Sequence, residues 1–229
     1  MDVIKSQLKL DLPVKRKFGG RQEGAGRPRL AARRIIHHIK RDAFASRHPL
    51  HVTIRVREGI PKLRSSKFNR AFYQVLAGSA SRAGFRIVHY SLQSNHVHCL
   101  VEAKDKTTLA NGMKSFSARF ARAVNRVFNR SGRVLEGRYH VRTLKTPREV
   151  RNALAYVLLN TRKHYVQCHG KRPPVEMDLW SSGPFFDGWR DAVGPPSTST
   201  LLPVATSWLL AKGWRRHRLI RLEEVPGVS

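Results

Sequence analysis

The sequence predicts an α+β domain in which helices cover one antiparallel sheet. Stretches of strict apolar and polar alternation indicate half-buried strands, and between them lie stretches whose apolar residues recur every three or four positions, as in amphipathic helices. The chain has 229 residues, enough to bury one good core and a small appended segment. We expect a basic, disordered tail over residues 1–48, the folded domain over 49–170 and a C-terminal extension over 171–229.

The first strand begins at His51 and has a basic outer face that carries Arg55 and Arg57. Its apolar positions are Val52, Ile54 and Val56. A helix with apolar residues at helical spacing follows, and we expect it to end near Gly84. Residues 85–92 are predicted to form a second strand.

The third strand, residues 96–103, carries the central inference. Successive side chains of a strand point to opposite faces of the sheet. The odd positions Val97, Cys99 and Val101 are apolar and should face the core. The histidines His96 and His98, together with Leu100 and Glu102, should therefore face the other way.

A long helix should follow, with an apolar stripe on one side and a basic row on the other. The stripe comprises Leu109, Met113, Phe116, Phe120, Val124 and Val127, and the row comprises Lys114, Arg119, Arg122 and Arg126. Residues 137–144 can supply a fourth strand. The order strand, helix, strand, strand, helix, strand is that of a ferredoxin-like βαββαβ fold.

The last helix of the domain has a clear beginning. Thr146 is a good N-cap, Pro147 suits the first helical position and Glu149 completes a capping box. Its apolar stripe is predicted to comprise Val150, Leu154, Val157 and Leu158. Tyr156 and Asn160, at a spacing of four, should share the opposite face.

The chain is strongly basic, with 44 Lys and Arg against 15 Asp and Glu and a net charge of +29. Such a balance favours a polyanionic partner, because binding releases counterions from phosphates. A ribosomal-type or membrane-surface protein is the alternative.

Two cysteines exclude a disulfide scaffold or a zinc cluster. With no apolar span of membrane length and no signal-peptide core, we expect a cytoplasmic protein that works near the nucleoid and does not bind membranes.

The flanking segments are less informative. The tail is rich in Gly and Arg, and its Gly26-Arg27-Pro28-Arg29 is similar to a minor-groove-binding core, although a plain basic tail explains it as well. Residues 195–206 indicate a linker. Residues 207–222 predict a basic amphipathic helix that could bind DNA, bind a partner or pack on the domain.

Two histidines two positions apart on a strand have parallel side chains that can converge on one divalent ion. Two solvent-facing histidines on a basic sheet are the alternative. Tyr156 could attack a phosphodiester as the phenolate, which a nearby cation favours, and the amide oxygen of Asn160 could complete the ligand set. Imidazole, amide oxygen and water suit Mg²⁺ or Mn²⁺ better than a closed zinc site.

His51, His89 and His140 are expected to be ordinary surface or strand histidines. Predicted phosphate-binding residues are Arg55, Arg57, Lys114, Arg119, Arg122, Arg126 and Lys163.

Four stretches carry a family resemblance: NHVHCLVEA, LANGMKSFSARFARAVN, GRYHV and YVLLN. Over about residues 48–170 the chain resembles the HUH single-strand transposases, especially the REP-associated tyrosine transposases. The resemblance implies a ferredoxin-like domain that cleaves and rejoins single-stranded DNA through a 5′-phosphotyrosine. It also implies dependence on Mg²⁺ or Mn²⁺ and recognition of a DNA hairpin beside the cut.

By position, His96 and His98 match the HUH histidines, Tyr156 the nucleophile and Asn160 the residue four past it. The sequence departs from the family where Gln93-Ser94 replaces Met-Pro and where Thr161, not Pro, follows Asn160. Two alternatives stay open: a non-catalytic nucleic-acid-binding module and a domesticated transposase that retains hairpin binding. The helix that carries Tyr156 could meet His96 and His98 within one chain or between two chains, so a homodimer is a further alternative.

Overall fold

The computed structural model describes residues 42–191 and 201–227. The predicted basic tail lies outside the described residues except for 42–48. The predicted linker lies outside them over 195–200. What the sequence indicates for residues 1–41 and 195–200 therefore stays a prediction.

Five antiparallel strands form one sheet. They are β1 (Leu50–Arg55), β2 (Ser81–Arg82), β3 (Phe85–Leu92), β4 (His96–Ala103) and β5 (His140–Thr143). The order across the sheet is β2-β3-β4-β1-β5. Apart from the two-residue strand β2, this is the strand order of the ferredoxin-like fold, so the predicted α+β class is confirmed.

Five α-helices complete the described fold. They are α1 (Ser66–Ala77), α2 (Lys106–Val127), α3 (Pro147–Leu158), α4 (Asn160–His169) and α5 (Trp208–Ala211). Helices α1 and α2 pack on one face of the sheet, and α3 packs on the other. Among the described residues, no helix is both long and apolar enough to cross a bilayer.

The core therefore has two layers, one on each side of the sheet. On the α1 and α2 side, rings from both helices interlock, with Phe72 in edge contact with Phe116 and Phe120. On the α3 side, the apolar stripe of α3 packs with Leu100 and with residues of the C-terminal extension such as Trp214. Side-chain alternation along the strands divides the residues between these layers.

The first helix ends earlier than the sequence predicted. It stops at Ala77, and Gly78 caps it. Gly84, which we expected to end the helix, instead has a φ of +73° and forms the turn between β2 and β3. A glycine signals a turn without indicating which pair of elements it joins, and this is why the boundary was wrong.

The capping box that begins α3 is confirmed. The Thr146 side chain accepts a hydrogen bond from the backbone N–H of Glu149, and the Glu149 carboxylate accepts one from the backbone N–H of Thr146. The backbone N–H of Lys145 also donates to this carboxylate, and this bond chiefly lowers the pKa of Glu149. These bonds fix the position at which α3 starts.

A single continuous helix through Tyr156 and Asn160 was predicted, and this is wrong. The helix breaks at Leu159, with α3 ending before it and α4 beginning at Asn160. An ion-pair network holds the start of α4: Arg64 donates to Asp178 at 2.7 Å, and the Thr161 hydroxyl donates to the same carboxylate at 2.6 Å. Thr161 thus anchors α4 to the C-terminal extension.

The predicted amphipathic helix over 207–222 is also wrong. Only α5 and a 3₁₀ turn over Gly213–His217 form there. Arg218 has a φ of +73°, which no helix accommodates. Trp214 and Ile220 are buried in the α3 layer, so packing on the domain is the role that this segment takes.

Glu102 holds the described C-terminal residues against the sheet. Its buried carboxylate accepts hydrogen bonds from the backbone N–H groups of Thr206 and Ser207 and from the Thr206 hydroxyl. Arg86 lies 3.8 Å away. Glu102, which shares a face of β4 with His96 and His98, is thus an anchor of the fold.

We predict that Glu102→Gln lowers the free energy of unfolding by about 1–3 kcal/mol, because an amide nitrogen would face buried donors and leave at least one unsatisfied. Urea unfolding followed by circular dichroism measures this. Glu136→Gln is the matched control, since Glu136 is exposed and pairs with Arg55 at 3.7 Å. It should change the free energy by less than about 0.5 kcal/mol. Equal effects of the two substitutions would contradict the anchoring role.

Candidate active site

His96 and His98 lie on the face of β4 that points toward α3, as the alternation of that strand predicted. Val97, Cys99 and Val101 are buried on the opposite face, in the layer formed with α1 and α2. The ring of Tyr156 lies edge-on to that of His98, with 5.1 Å between centroids. Histidine and tyrosine therefore meet within one chain.

The two imidazoles converge through their Nε2 atoms. His96 Nε2 and His98 Nε2 are 2.9 Å apart, and the two rings are nearly perpendicular at 82°. His98 is buried, whereas His96 is half-buried at the edge of the site. The two nitrogens are therefore within hydrogen-bond distance of each other.

The other nitrogen of each ring also has a partner. His96 Nδ1 lies 2.7 Å from Asn95 Oδ1. His98 Nδ1 lies 3.0 Å from Thr53 Oγ1 and 3.1 Å from His51 Nε2. The register of the sheet builds this arrangement, because β1 pairs with β4 so that Thr53 stands opposite His98.

Asn160 lies at the first position of α4 and is fully buried. Neither atom of its amide group has a hydrogen-bond partner within residues 42–191 and 201–227. Because the helix breaks at Leu159, its side chain is not held on one continuous helical face with Tyr156. Its role as a metal ligand stays a prediction.

About half of the chain matches a known protein family. Residues 45–158 match the model of the family described as "Transposase IS200 like". Through this segment, the chain belongs to the IS200-like transposase family. Membership makes the chain a transposase, an enzyme class that cleaves DNA.

Two solved structures resemble the transposase. One is a REP-associated tyrosine transposase bound to a REP hairpin, 13% identical, with a TM-score of 0.46; the match covers 55% of this chain and 73% of that one. The other is a candidate transposase from Deinococcus radiodurans R1, 17% identical, with a TM-score of 0.36, covering 42% and 78%. No curated protein matches the sequence.

The imidazoles at the centre of the transposase domain have low pKa values. Burial lowers the pKa of His98 to about 2, with His96 and His51 adding to the effect. Burial likewise lowers the pKa of His96 and that of His51 to about 4. These rings are therefore neutral at pH 7, so each has one nitrogen lone pair that can bind a cation or accept a hydrogen bond.

Sequence analysis missed two residues of this site. His51, expected to be an ordinary histidine, contacts His98 and lies 5.7 Å from the Tyr156 ring. His164, on α4, lies 6.3 Å from the ring of His96. A signal existed for both: His51 shares the parity of Thr53 on the first strand, and His164 continues the spacing of four from Tyr156 through Asn160.

The described residues contain no group of three or more His, Cys, Asp or Glu side chains arranged to hold a metal ion. A metal at the two imidazoles would therefore need a ligand of another type. An amide oxygen such as that of Asn160 meets this requirement, and its lack of a hydrogen-bond partner within the described ranges is consistent with such a use.

The predicted phosphate-binding residues lie in two places. Arg55 is on the histidine face of β1, and the Nζ atom of Lys163 lies 4.8 Å from the centroid of the Tyr156 ring. Arg57 is exposed just after β1. The basic row of α2 is exposed as well, but α2 packs on the other face of the sheet from Tyr156. The α2 row comprises Lys114, Arg119, Arg122 and Arg126.

A cleft of about 570 Å³ opens beside Tyr156. Arg142, Asn152 and His51 line it together with residues 224–227. Arg142 is 70% exposed, stands opposite His51 in the sheet and lies 3.5 Å from the carboxylate of Glu149. The cleft can accept a flexible chain that passes the tyrosine, and Arg142 is a basic residue that the sequence did not single out.

We predict that the metal-free protein loses stability as the pH falls from about 6.5 toward 4. The unfolded chain binds protons on its histidines in this window, because their ordinary pKa is about 6.5, whereas His51, His96 and His98 have lowered pKa values when folded. The free energy of unfolding must therefore decrease as the pH falls.

Urea unfolding at several pH values in the presence of a chelator measures the slope. Substituting His98→Gln should reduce it by about one proton near pH 5, which corresponds to about 1.4 kcal/mol per pH unit. An identical slope in wild type and variant would show that His98 is not held neutral by the fold.

Proposed function

We propose that the transposase is a metal-dependent endonuclease and strand transferase of single-stranded DNA. In this proposal Tyr156 is the nucleophile and His96 and His98 bind Mg²⁺ or Mn²⁺, with Asn160 as the third protein ligand. The reaction cleaves and rejoins DNA through a 5′-phosphotyrosine beside a hairpin, as the motifs in the sequence suggest. The observation that carries the proposal is the convergence of two imidazole nitrogens next to the tyrosine ring.

The spacing of these nitrogens suits a divalent cation. Ligands about 2.1 Å from an octahedral ion and at right angles to each other lie about 3 Å apart, and the two Nε2 atoms lie 2.9 Å apart. Asn95 Oδ1 can only accept a hydrogen bond, so His96 Nδ1 carries the proton and His96 Nε2 presents its lone pair. The two nitrogens are therefore spaced like two ligands of one cation, and His96 already presents its lone pair.

The proposed ligand set is two neutral imidazoles and one amide oxygen. Mg²⁺ and Mn²⁺ accept oxygen and imidazole ligands, and three protein ligands leave positions for the oxygens of DNA. A cation bound there would polarise a phosphoryl oxygen and stabilise the leaving oxygen. The covalent steps of the reaction depend on residues of the chain.

Tyr156 supplies the covalent chemistry in this proposal. Its phenolate oxygen attacks the phosphorus, a tyrosine–phosphate bond forms and the bond between phosphorus and the 3′ oxygen breaks. The 3′ oxygen takes up a proton and leaves as a hydroxyl, while the 5′ end stays on the enzyme. Attack by a 3′ hydroxyl reverses the step and rejoins the strands. Lys163, above the Tyr156 ring, is positioned to contact a phosphate in this place.

In this proposal a single chain supplies both the nucleophile and the metal ligands, because His98 and Tyr156 are in contact within it. A homodimer would then serve DNA binding and not the completion of the active site. We place the activity in the cytoplasm at the nucleoid, where the DNA substrate lies. The rival nucleic-acid-binding module is not favoured, because RNA-recognition domains stack bases on exposed sheet aromatics, whereas here α3 covers that face.

We expect the wild-type protein with Mn²⁺ to form a covalent adduct with labelled single strands that carry a hairpin, visible on a denaturing gel. Tyr156→Phe should abolish the adduct, because no phenol oxygen remains to attack. Tyr165→Phe, which alters a tyrosine stacked on His169 in α4, should leave it intact. An adduct formed by Tyr156→Phe at the wild-type level would show that another residue is the nucleophile.

The two basic surfaces should bind different parts of the substrate. Arg55→Ala and Lys163→Ala should each weaken binding of unstructured single strands and reduce the slope of log K against log salt by about 0.7 per lost phosphate contact. Arg122→Ala, on the far face, should weaken only substrates that carry a hairpin. Fluorescence anisotropy at several salt concentrations measures both effects. If substitutions on either surface weakened the binding of unstructured strands and of hairpin substrates equally, this division would be contradicted.

A further inference from the structure

The Nδ1 atom of His98 has two neighbours on β1 that are not among the proposed metal ligands. Thr53 Oγ1 lies at 3.0 Å and His51 Nε2 at 3.1 Å. Both side chains share one face of β1, and His98 itself is buried. A buried ring nitrogen with two partners, contributed by the adjacent strand, is held in one orientation.

The position of the ring proton on His98 depends on what lies between the imidazoles. Asn95 Oδ1 requires the proton of His96 to be on Nδ1, so His96 Nε2 is an acceptor. Without a cation, His98 must therefore carry its proton on Nε2 and donate it to His96 Nε2 at 2.9 Å. His98 Nδ1 then accepts a hydrogen bond from β1.

With a cation bound, the ring proton of His98 must be on the other nitrogen. Both Nε2 lone pairs are then needed as ligands, so the proton of His98 must be on Nδ1. There it can be donated to Thr53 Oγ1 or to His51 Nε2. The imidazole stays neutral, and no proton is gained or lost overall; one N–H bond breaks at Nε2 and another forms at Nδ1.

We propose that Thr53 and His51 are positioning residues that allow His98 to exchange its ring tautomer when the cation binds. A hydroxyl and a neutral imidazole can each donate or accept, so the same two side chains satisfy both states without a change in the fold. The proposal rests on the proposed metal site at His96 and His98. Partners of this kind orient metal-binding histidines, and losing them commonly costs about 10–100-fold in metal affinity.

The structure also explains why two partners are present. Either one can accept the single Nδ1–H bond, so the loss of one leaves the other. We therefore expect Thr53→Val and His51→Phe each to weaken Mn²⁺ binding only a few-fold, and the double variant to weaken it about 10–100-fold. Thr53→Ser, which keeps the hydroxyl, should restore wild-type affinity.

A matched control is available on the neighbouring strand. His140 is exposed on the same sheet face, opposite Thr53 in the register of β1 and β5. His140→Phe removes an imidazole from the sheet without touching His98. It should leave Mn²⁺ affinity and thermal stability unchanged, so a loss in the His51 variants would reflect the contact with His98 and not a general loss of histidine.

Two measurements on the full-length protein test the proposal. Calorimetry gives the Mn²⁺ dissociation constants, and ¹⁵N NMR of histidine-labelled protein reports the His98 tautomer. We expect the Nε2–H form in a chelator and the Nδ1–H form at saturating Mg²⁺. If the double variant binds Mn²⁺ within two-fold of wild type, or if the tautomer does not change, the positioning role is wrong. If wild type binds no Mn²⁺ at all, the metal site itself fails.

Should the double variant fail to fold, the tautomer of the wild-type protein still decides the matter. The conservative Thr53→Ser variant provides the second check. It must show the same exchange of tautomers as wild type, whereas a persistent Nε2–H form at saturating Mg²⁺ in both proteins would overturn the proposal.

Discussion

The alternation of side chains along β4 is the constraint on which the active site depends. Val97, Cys99 and Val101 are committed to the layer with α1 and α2, so His96 and His98 must face α3. A slip of one residue would bury both imidazoles in that apolar layer and turn three apolar side chains toward α3. The hydrophobic effect on one face thus determines the position of polar groups on the other. The pairing of β1 with β4 adds Thr53 and His51 to the same place.

A second set of contacts brings the tyrosine to the histidines. The capping box at Thr146 fixes where α3 begins, and its apolar stripe fixes how the helix is rotated. Residues from the C-terminal extension hold the helix from outside: Arg151 of α3 donates two hydrogen bonds to the Glu224 carboxylate, at 2.6 and 2.7 Å. Trp214 packs in the same layer. The extension is therefore part of the scaffold that places Tyr156 opposite His98.

The features that the sequence predicted are those that local physics determines. Strand parity, the capped start of α3 and the apolar stripe of α2 each depend on residues close together in the chain, and all were confirmed. The break at Leu159 and the burial of Trp214 depend on contacts between distant segments, such as the Arg64 and Asp178 pair, and no local pattern encodes them. The parity of His51 was visible in the sequence, but its place beside His98 appears only when the register between β1 and β4 is known. Strand parity and helix spacing drew attention to His96, His98 and Tyr156, and the family resemblance implied that the two sets act together.

The side chains proposed to bind the metal are uncharged, whereas basic side chains lie around them. Arg55, Lys163 and Arg142 surround the site with positive charge, whereas the imidazoles at its centre are neutral and the amide of Asn160 carries no charge. A basic surface attracts DNA but repels a divalent cation, and the proposed ligands offer no negative charge to offset that repulsion. A phosphate beside Tyr156 would supply it. Because the proposed ligands are neutral and their surroundings are positive, we expect the proposed metal site to bind its cation more tightly when the DNA strand is in place than on the free enzyme.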